Sequence, residues 1–231
     1  MNFFVDSTPL SFESFLEKSP ELEGILTPEL KGQELRLDGG QLIYVSDSDL
    51  ELKINAKSEL EYHKRYFFKN SIYKELIAKA VGLKKAKNKP KVLDATGGTL
   101  KDSLLLKSMG LDLIVCERSP ISAALITNAI SQNQLDIEFH YASCADKVYP
   151  ADVAYYDPMY EHINSKSLAK KEMRIFRDVI GPDTDDLVVA QFLLKNYKRL
   201  VIKRSIKAPV LLDNPSMSFS GKSTRYDVYL S

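Results

Sequence analysis

Cysteine occurs only twice in the 231-residue chain and histidine three times. Cys116 and Cys144 form no CxxC, so the chain has neither a disulfide framework nor a zinc cluster to organise it. His140 and His162 stand at no metal-ligand spacing, and no metal is expected. No stretch approaches the roughly 20 apolar residues of a membrane span. The opening MNFFVDSTPLSFESF lacks the basic region of a secretory signal, so the expectation is a cytoplasmic protein without a membrane partner. Net charge is only +1, which argues against a nonspecific nucleic-acid binder. Internal repeats, low-complexity tracts and the GxGxxG pattern of dinucleotide loops are also missing.

What is present is ordinary globular composition, 44% hydrophobic and 27% charged, with length for a core domain and an extension. Charge is unevenly spread. Residues 1–60 hold 12 acidic side chains against 5 basic, and the rest of the chain carries a net +8. Residues 1–57 read as a small α+β extension, with an amphipathic helix at SFESFLEKS and two strands around Asp38-Gly39-Gly40. Residues 58–231 read as a second unit. A long helix over 58–82 leads into it, ending at Gly82, and a core follows from 91 to 231. There strands expected near 91–96, 111–117, 137–143, 152–157 and 199–205 alternate with helices at 99–108, 120–132 and about 166–180, and another from Asp183. Two last strands, near 216–220 and 225–230, should form a hairpin. Such alternation means a mostly parallel, doubly wound α/β sheet of seven strands with ligands at the strands' carboxyl ends. A closing antiparallel hairpin is the arrangement of class I (Rossmann-like) methyltransferases rather than of nicotinamide-binding domains.

Three strand ends carry candidate chemistry. DATGGTLKD (94–102) puts adjacent glycines between a strand and a helix, where the backbone can pass close to a ligand, with Asp94 as an acceptor. Glu117 follows Gly97 by the spacing at which a carboxylate reaches ribose hydroxyls, which indicates a nucleoside-type cofactor, NAD or S-adenosylmethionine. AYYDPMYEH (154–162) ends a strand in Asp157-Pro158-Met159-Tyr160, the shape of the D/N-P-P-aromatic motif that methylates exocyclic amines. There a carboxylate and the Pro158 carbonyl can each take an amine N–H, and Tyr160 can stack on the base.

Basic residues follow. Lys170, Arg174 and Arg177 share a helix face that could track phosphates, and Lys203 and Arg204 end a strand near the cleft. In EYHKRYFFKNSIYK (61–74) aromatic and basic residues interleave, as on nucleic-acid surfaces. Helical periodicity assigns most of those aromatics to packing, leaving His63, Lys64 and Arg65 for RNA or cofactor contact.

Together HKR (63–65), AKAVG (78–82), DATGG (94–98), the ER pair 117–118, DPMY, LAKKEMRIF (168–176), VIKR (201–204) and RYDVY (225–229) resemble one family. It is the bacterial small-subunit ribosomal RNA guanine-N2 methyltransferases of the RsmJ type. The resemblance runs from about Ala56 to the C-terminus. It implies an S-adenosylmethionine-dependent enzyme acting on a guanine amine of 16S rRNA, free or in the assembled small subunit. Family cofactor contacts fall on Lys101, Asp102, Glu117, Arg118, Ser143, Cys144 and Asp157, and the glycine turn adds Asp94, Thr96, Gly97 and Gly98 as cofactor candidates. The catalytic group is Asp157, Pro158 and Tyr160; RNA contacts are His63, Lys64, Arg65, Lys170, Lys171, Arg174, Arg177, Lys203 and Arg204. The chain departs from the family at Leu100-Lys101, where Gly-Arg is usual, and at Glu161, where proline is usual. The rival readings are methylation of another amine, adenine N6 or protein glutamine, and an inert cofactor- or RNA-binding module.

Overall fold

Val92–Asp94, Leu113–Glu117 and Val153–Tyr156 are buried along their whole length, as strands sandwiched between helices must be. The computed structural model of the chain describes residues 1–84, 87–158 and 184–231. Its larger sheet uses β6 (Val92–Asp94), β7 (Leu113–Glu117), β8 (Glu138–Tyr141), β9 (Val153–Tyr156), β10 (Arg199–Ser205), β11 (Met217–Ser220) and β12 (Thr224–Leu230). The order is β11-β12-β10-β9-β6-β7-β8. β12 is antiparallel to both neighbours, while β10, β9, β6, β7 and β8 pair in parallel. The class I methyltransferase arrangement expected from the alternation is therefore present. Strand order reverses between β6 and β9, so the crevice opens where Asp94 and Asp157 leave the sheet.

One face of this sheet, with Val92, Val115, Val153, Tyr155, Val201 and Val228, packs under α3 (Leu76–Ala80), α4 (Lys101–Ser108) and α5 (Pro120–Asn133). The other, with Leu93, Ile114, Ala154, Tyr156, Leu200 and Ile202, packs against α6 (Asp186–Asn196). The N-terminal residues form a second sheet, β2-β1-β3-β4-β5, with β1 (Asn2–Val5), β2 (Thr8–Leu10), β3 (Glu34–Asp38), β4 (Gln41–Val45) and β5 (Glu51–Leu52). Its helix α1 (Phe12–Lys18) is capped by the Ser11 side chain, which accepts from the Ser14 amide. The hairpin about Gly39-Gly40 is as expected; β1, β2 and β5 were not foreseen.

β4 lies on α5, whose sequence ISAALITNAI has no polar side because it is covered from both directions. Asn128 seals the contact. It accepts from the Leu42 amide at 2.8 Å and donates to the Gly40 carbonyl at 3.0 Å, so both ends of a buried amide are bonded.

Two helical expectations are corrected. The helix over 58–82 is broken into α2 (Ala56–Lys69), a 3-10 turn Ile72–Lys74 and α3. Asn70 ends α2 because both its amide and its side-chain nitrogen donate to the Tyr66 carbonyl, while its backbone turns extended. The helix expected from Thr99 begins at Lys101, because Leu100 adopts left-handed backbone at φ +60°. The helix expected over 166–180 and the next one's expected start at Asp183 lie outside the described residues. Helix α6 starts at Asp186, with Asp185 at its N-cap position making no side-chain cap.

Candidate active site

The turn after β6 is built against the end of β7. The Gly97 amide donates to the Cys116 carbonyl at 2.8 Å. A Cβ there would lie 2.8 Å from the Ile126 Cδ1 and 2.9 Å from the Val115 Cγ1, so only glycine allows the approach. Gly98 follows at φ +55° and gives its amide to the Glu117 Oε2 at 2.8 Å, while Ser122 Oγ donates to the Gly98 carbonyl at 2.6 Å. Leu100 follows in left-handed backbone, at φ +60°. Left-handed backbone costs a leucine about 1–2 kcal/mol. Its side chain is wholly buried, and that burial offsets the strain by about 1.5–3 kcal/mol. The loop is thus pinned at both ends.

Two buried carboxylates flank the turn. Asp94 accepts from the Thr96 amide at 3.0 Å and from Ser103 Oγ at 2.5 Å, and burial pushes its carboxyl up to about 7. Glu117 takes the Gly98 amide on one oxygen and the Ser119 amide, at 2.7 Å, on the other; burial raises it too. Ser119 and Pro120 occupy the N-cap and first helical positions of α5, where the Ser119 side chain makes no capping bond. No cationic side chain bonds either carboxylate among the described residues.

The second pair is arranged differently. Asp157 leaves β9 with its amide donating to Thr96 Oγ1 at 2.9 Å, which ties it to the glycine turn. Register places Ile202 opposite Tyr156 and Lys203 opposite Tyr226, so Lys203 comes alongside Asp157. Its Nζ lies 2.9 Å from Asp157 Oδ2 and 2.6 Å from Asp102 Oδ2. The Tyr155 hydroxyl donates to the same Asp102 oxygen at 2.5 Å, and the Tyr226 ring tilts over Tyr155 at 6.5 Å. Burial works against the Lys203 charge, but the two carboxylates outweigh it and hold the ammonium well above its usual range. Burial raises Asp157, with Lys203 pulling the other way.

Asp94, Thr96, Gly97, Gly98, Asp102, Glu117 and Asp157 therefore meet at one sheet edge. Arg118, next to Glu117, forms a two-pronged pair with Asp185 at 2.7 and 2.9 Å, joining β7 to the start of α6. Ser143 follows β8 in a turn closed by Asp146, whose carboxylate accepts the Ser143 amide at 3.1 Å. Cys144 turns its side chain into the core, where burial pushes the thiol up to about 12.

The basic residues scatter. Lys203, expected on the RNA side, instead holds the two cleft carboxylates; Arg204 turns to the opposite face, is buried and donates to the Pro209 carbonyl at 3.2 Å. His63 stacks on Phe67 and burial lowers its pKa, whereas Lys64 and Arg65 are exposed. The expectation that the aromatics of 61–74 pack inward is overturned: Tyr62, Tyr66, Phe68 and Tyr73 are exposed. Tyr160, Lys170, Lys171, Arg174 and Arg177 lie outside the described residues. Sequence reasoning missed Ser103, Ser122, Tyr155 and Tyr226, which bond or pack behind the named groups. Only Tyr155 had a signal, two positions before Asp157 on the same strand face.

No group of three or more His, Cys, Asp or Glu among the described residues is arranged to hold a metal ion. No described helix is long and apolar enough to cross a membrane.

A family model described as "Putative SAM-dependent methyltransferase" matches residues 41–231. The ribosomal RNA small subunit methyltransferase J of Colwellia psychrerythraea is 42% identical over 169 residues, covering 67% of this chain and 61% of the relative. That of Bdellovibrio bacteriovorus is 36% identical over 203 residues, covering 81% and 78%. A crystal structure of a SAM-dependent methyltransferase from Neisseria gonorrhoeae shares the fold with TM-score 0.69 and 24% identity, covering 99% of this chain and 95% of that one.

Proposed function

This chain belongs to the SAM-dependent methyltransferase family, and we propose that it methylates the exocyclic N2 amine of a guanine in 16S ribosomal RNA. S-adenosylmethionine supplies, when bound, a methyl group made electrophilic by a sulfonium. The residues present fit that group. Gly97 lets the turn close against the end of β7, and Asp94 and Glu117 offer a positively charged nucleoside buried acceptors that no cation among the described residues bonds. Thr96, Gly98, Lys101, Asp102, Arg118, Ser143 and Cys144 complete the proposed binding set, Cys144 through its backbone.

The observation that carries the reaction is Asp157, fixed at the carboxyl end of β9 by Thr96 and Lys203. An amine conjugated to a purine is a poor nucleophile because its lone pair is delocalised. Asp157 and the Pro158 carbonyl each accept one N–H, which turns that lone pair toward the methyl. Lys203 occupies Oδ2 and leaves the other oxygen of Asp157 for the amine. The proton that the amine gives up on accepting the methyl would pass to Asp157, whose affinity for it burial has raised. Tyr160 stacks on the extruded base. Lys64, Arg65, Lys170, Lys171, Arg174 and Arg177 contact phosphates. We assign this chemistry to residues 58–231, with 1–57 as the extension, and the reaction to the cytoplasm, where ribosomal RNA is found.

The test uses 30S particles and deproteinised 16S rRNA from a strain lacking the enzyme, a labelled methyl donor, and mapping of the product. Label on guanine N2 is expected. Label on adenine N6 or a protein glutamine overturns the guanine assignment, and cofactor binding without transfer to either substrate overturns the RNA reading.

A further inference from the structure

Helix α2 wears its aromatic rings on the outside. Ala56, Leu60, His63 and Phe67, spaced four, three and four apart, form the side that packs inward. Outward point Tyr62, Tyr66 and Phe68, the last 89% exposed, with Tyr73 of the following turn exposed beside them. The Tyr62 and Tyr66 rings run nearly parallel, 18° apart with centroids at 6.3 Å. Between the rings stand Lys64, Arg65 and Lys69, all exposed and without an ion-pair partner among the described residues. Folding gains nothing from solvent-facing rings, so stability does not explain this face. Its charge has a sign. Residues 56–74 hold five basic and two acidic side chains, whereas residues 1–55 carry a net −7.

The face also has an address. The Tyr66 hydroxyl donates to Glu75 Oε1 at 3.0 Å, and Glu75 is the N-cap of α3, which packs against β12, the strand whose Tyr226 lies over Tyr155 beside the Asp102–Lys203–Asp157 cluster. Leu76, just beyond, touches Gly221 in the β11–β12 turn at the carboxyl edge of the sheet. The exposed rings thus run toward the rim of the cleft.

We propose that the outer face of α2 is a stacking platform for the single-stranded RNA that flanks the target nucleotide. It rests on the reading that the substrate is ribosomal RNA. Phe68, Tyr62 and Tyr66 take base faces, and Lys64, Arg65 and Lys69 take phosphates. The occupant is single-stranded because only unpaired bases offer their faces to aromatic rings, while a duplex hides them. It is RNA rather than a protein helix because the rings are interrupted by cations at every turn and form no continuous apolar groove.

Tyr62→Ala with Phe68→Ala, Phe68→Tyr, and Lys64→Gln with Arg65→Gln test this. Deproteinised 16S rRNA and 30S particles serve as probes, with S-adenosylmethionine titration reporting that each variant is folded. The double alanine variant should bind deproteinised RNA at least roughly ten-fold more weakly, since each lost stack is worth that order. Phe68→Tyr should keep wild-type affinity. The double glutamine variant should flatten the salt dependence of binding by about 0.7 in slope per lost contact. Unchanged RNA affinity in the double alanine variant, with wild-type protein binding and methylating normally, overturns the platform and leaves the enzyme reading standing. Weakening on 30S particles alone means the face meets a ribosomal protein, which overturns the RNA occupant. Wild-type protein that binds neither probe removes both readings.

Discussion

The crevice has two pairs of carboxylates, and they are kept in opposite ways. Asp94 and Glu117, beside the glycine turn, are bonded among the described residues by amides and hydroxyls, and burial raises both. Asp102 and Asp157, at the amine corner, share one lysine. Uncompensated negative charge in a buried site attracts a cation, so the first pair suits a sulfonium nucleoside. In the proposed reaction the second presents an acceptor to a neutral amine, and there Lys203 opposes the rise that burial imposes on Asp157. On the proposed reading, one sheet edge holds a cation trap and a neutralised clamp side by side.

The comparison is broken most severely at the clamp. Asp157→Ala should lower methyl transfer by about a hundred-fold or more, the scale of losing a positioned transition-state acceptor, with S-adenosylmethionine titration little changed. Near-wild-type transfer in that variant would end the assignment. Lys203→Met leaves two carboxylates facing each other. The group is about a quarter exposed, so the stability loss is about 1–2 kcal/mol rather than that of a fully buried pair. Its sharper readout is a pH profile. Without the ammonium the Asp157 carboxyl rises further, so the acid limb of activity moves to higher pH, and Lys203→Arg should move it back. An unmoved limb would show that Lys203 does not set the charge of Asp157.

At the trap the sign reverses. Asp94 has a folded-state pKa raised from the usual carboxylate value to about 7, so the folded protein holds its proton more tightly than the unfolded chain. Its burial therefore costs stability increasingly as pH rises from about 4 to 7. Asp94→Asn removes that cost and should stabilise the ligand-free protein by about 2 kcal/mol at pH 8, a gain that shrinks toward pH 4, while weakening cofactor binding. A melting series that shows no pH dependence in the difference would sink this. Ser103→Ala is the mildest change. Losing one hydrogen bond to a buried carboxyl should cost about 1 kcal/mol and push Asp94 still higher.

Much of the trap was legible beforehand. Adjacent glycines after an apolar run, and acids ending two parallel strands, are local patterns, and the structure brings Asp94, Gly97, Gly98 and Glu117 together as those patterns imply. The clamp was legible in part. Asp157 is announced by its proline, but Lys203 looked like one of two RNA-facing cations, because a strand's period of two separates Lys203 from Arg204 without saying which faces the cleft. Helix α2 was misread for a related reason. Its aromatics promised packing, yet the smaller set Ala56, Leu60, His63 and Phe67 won the inward side, and Asn70 cut the helix short.

The amino-acid sequence by itself determined the succession of strands in the larger sheet, the glycine turn and the placing of an acid at each of three strand ends. These depend on backbone preferences and periodicities within a few residues of one another. Only the tertiary structure decided that Lys203 bridges Asp102 and Asp157, that Asn128 fastens the N-terminal sheet to α5, and that α2 shows its rings to solvent. Each of those depends on which faces meet. Residues 46 and 101 positions apart are joined by strand register and helix packing, and a periodic pattern offers two faces without stating which one a distant neighbour will cover.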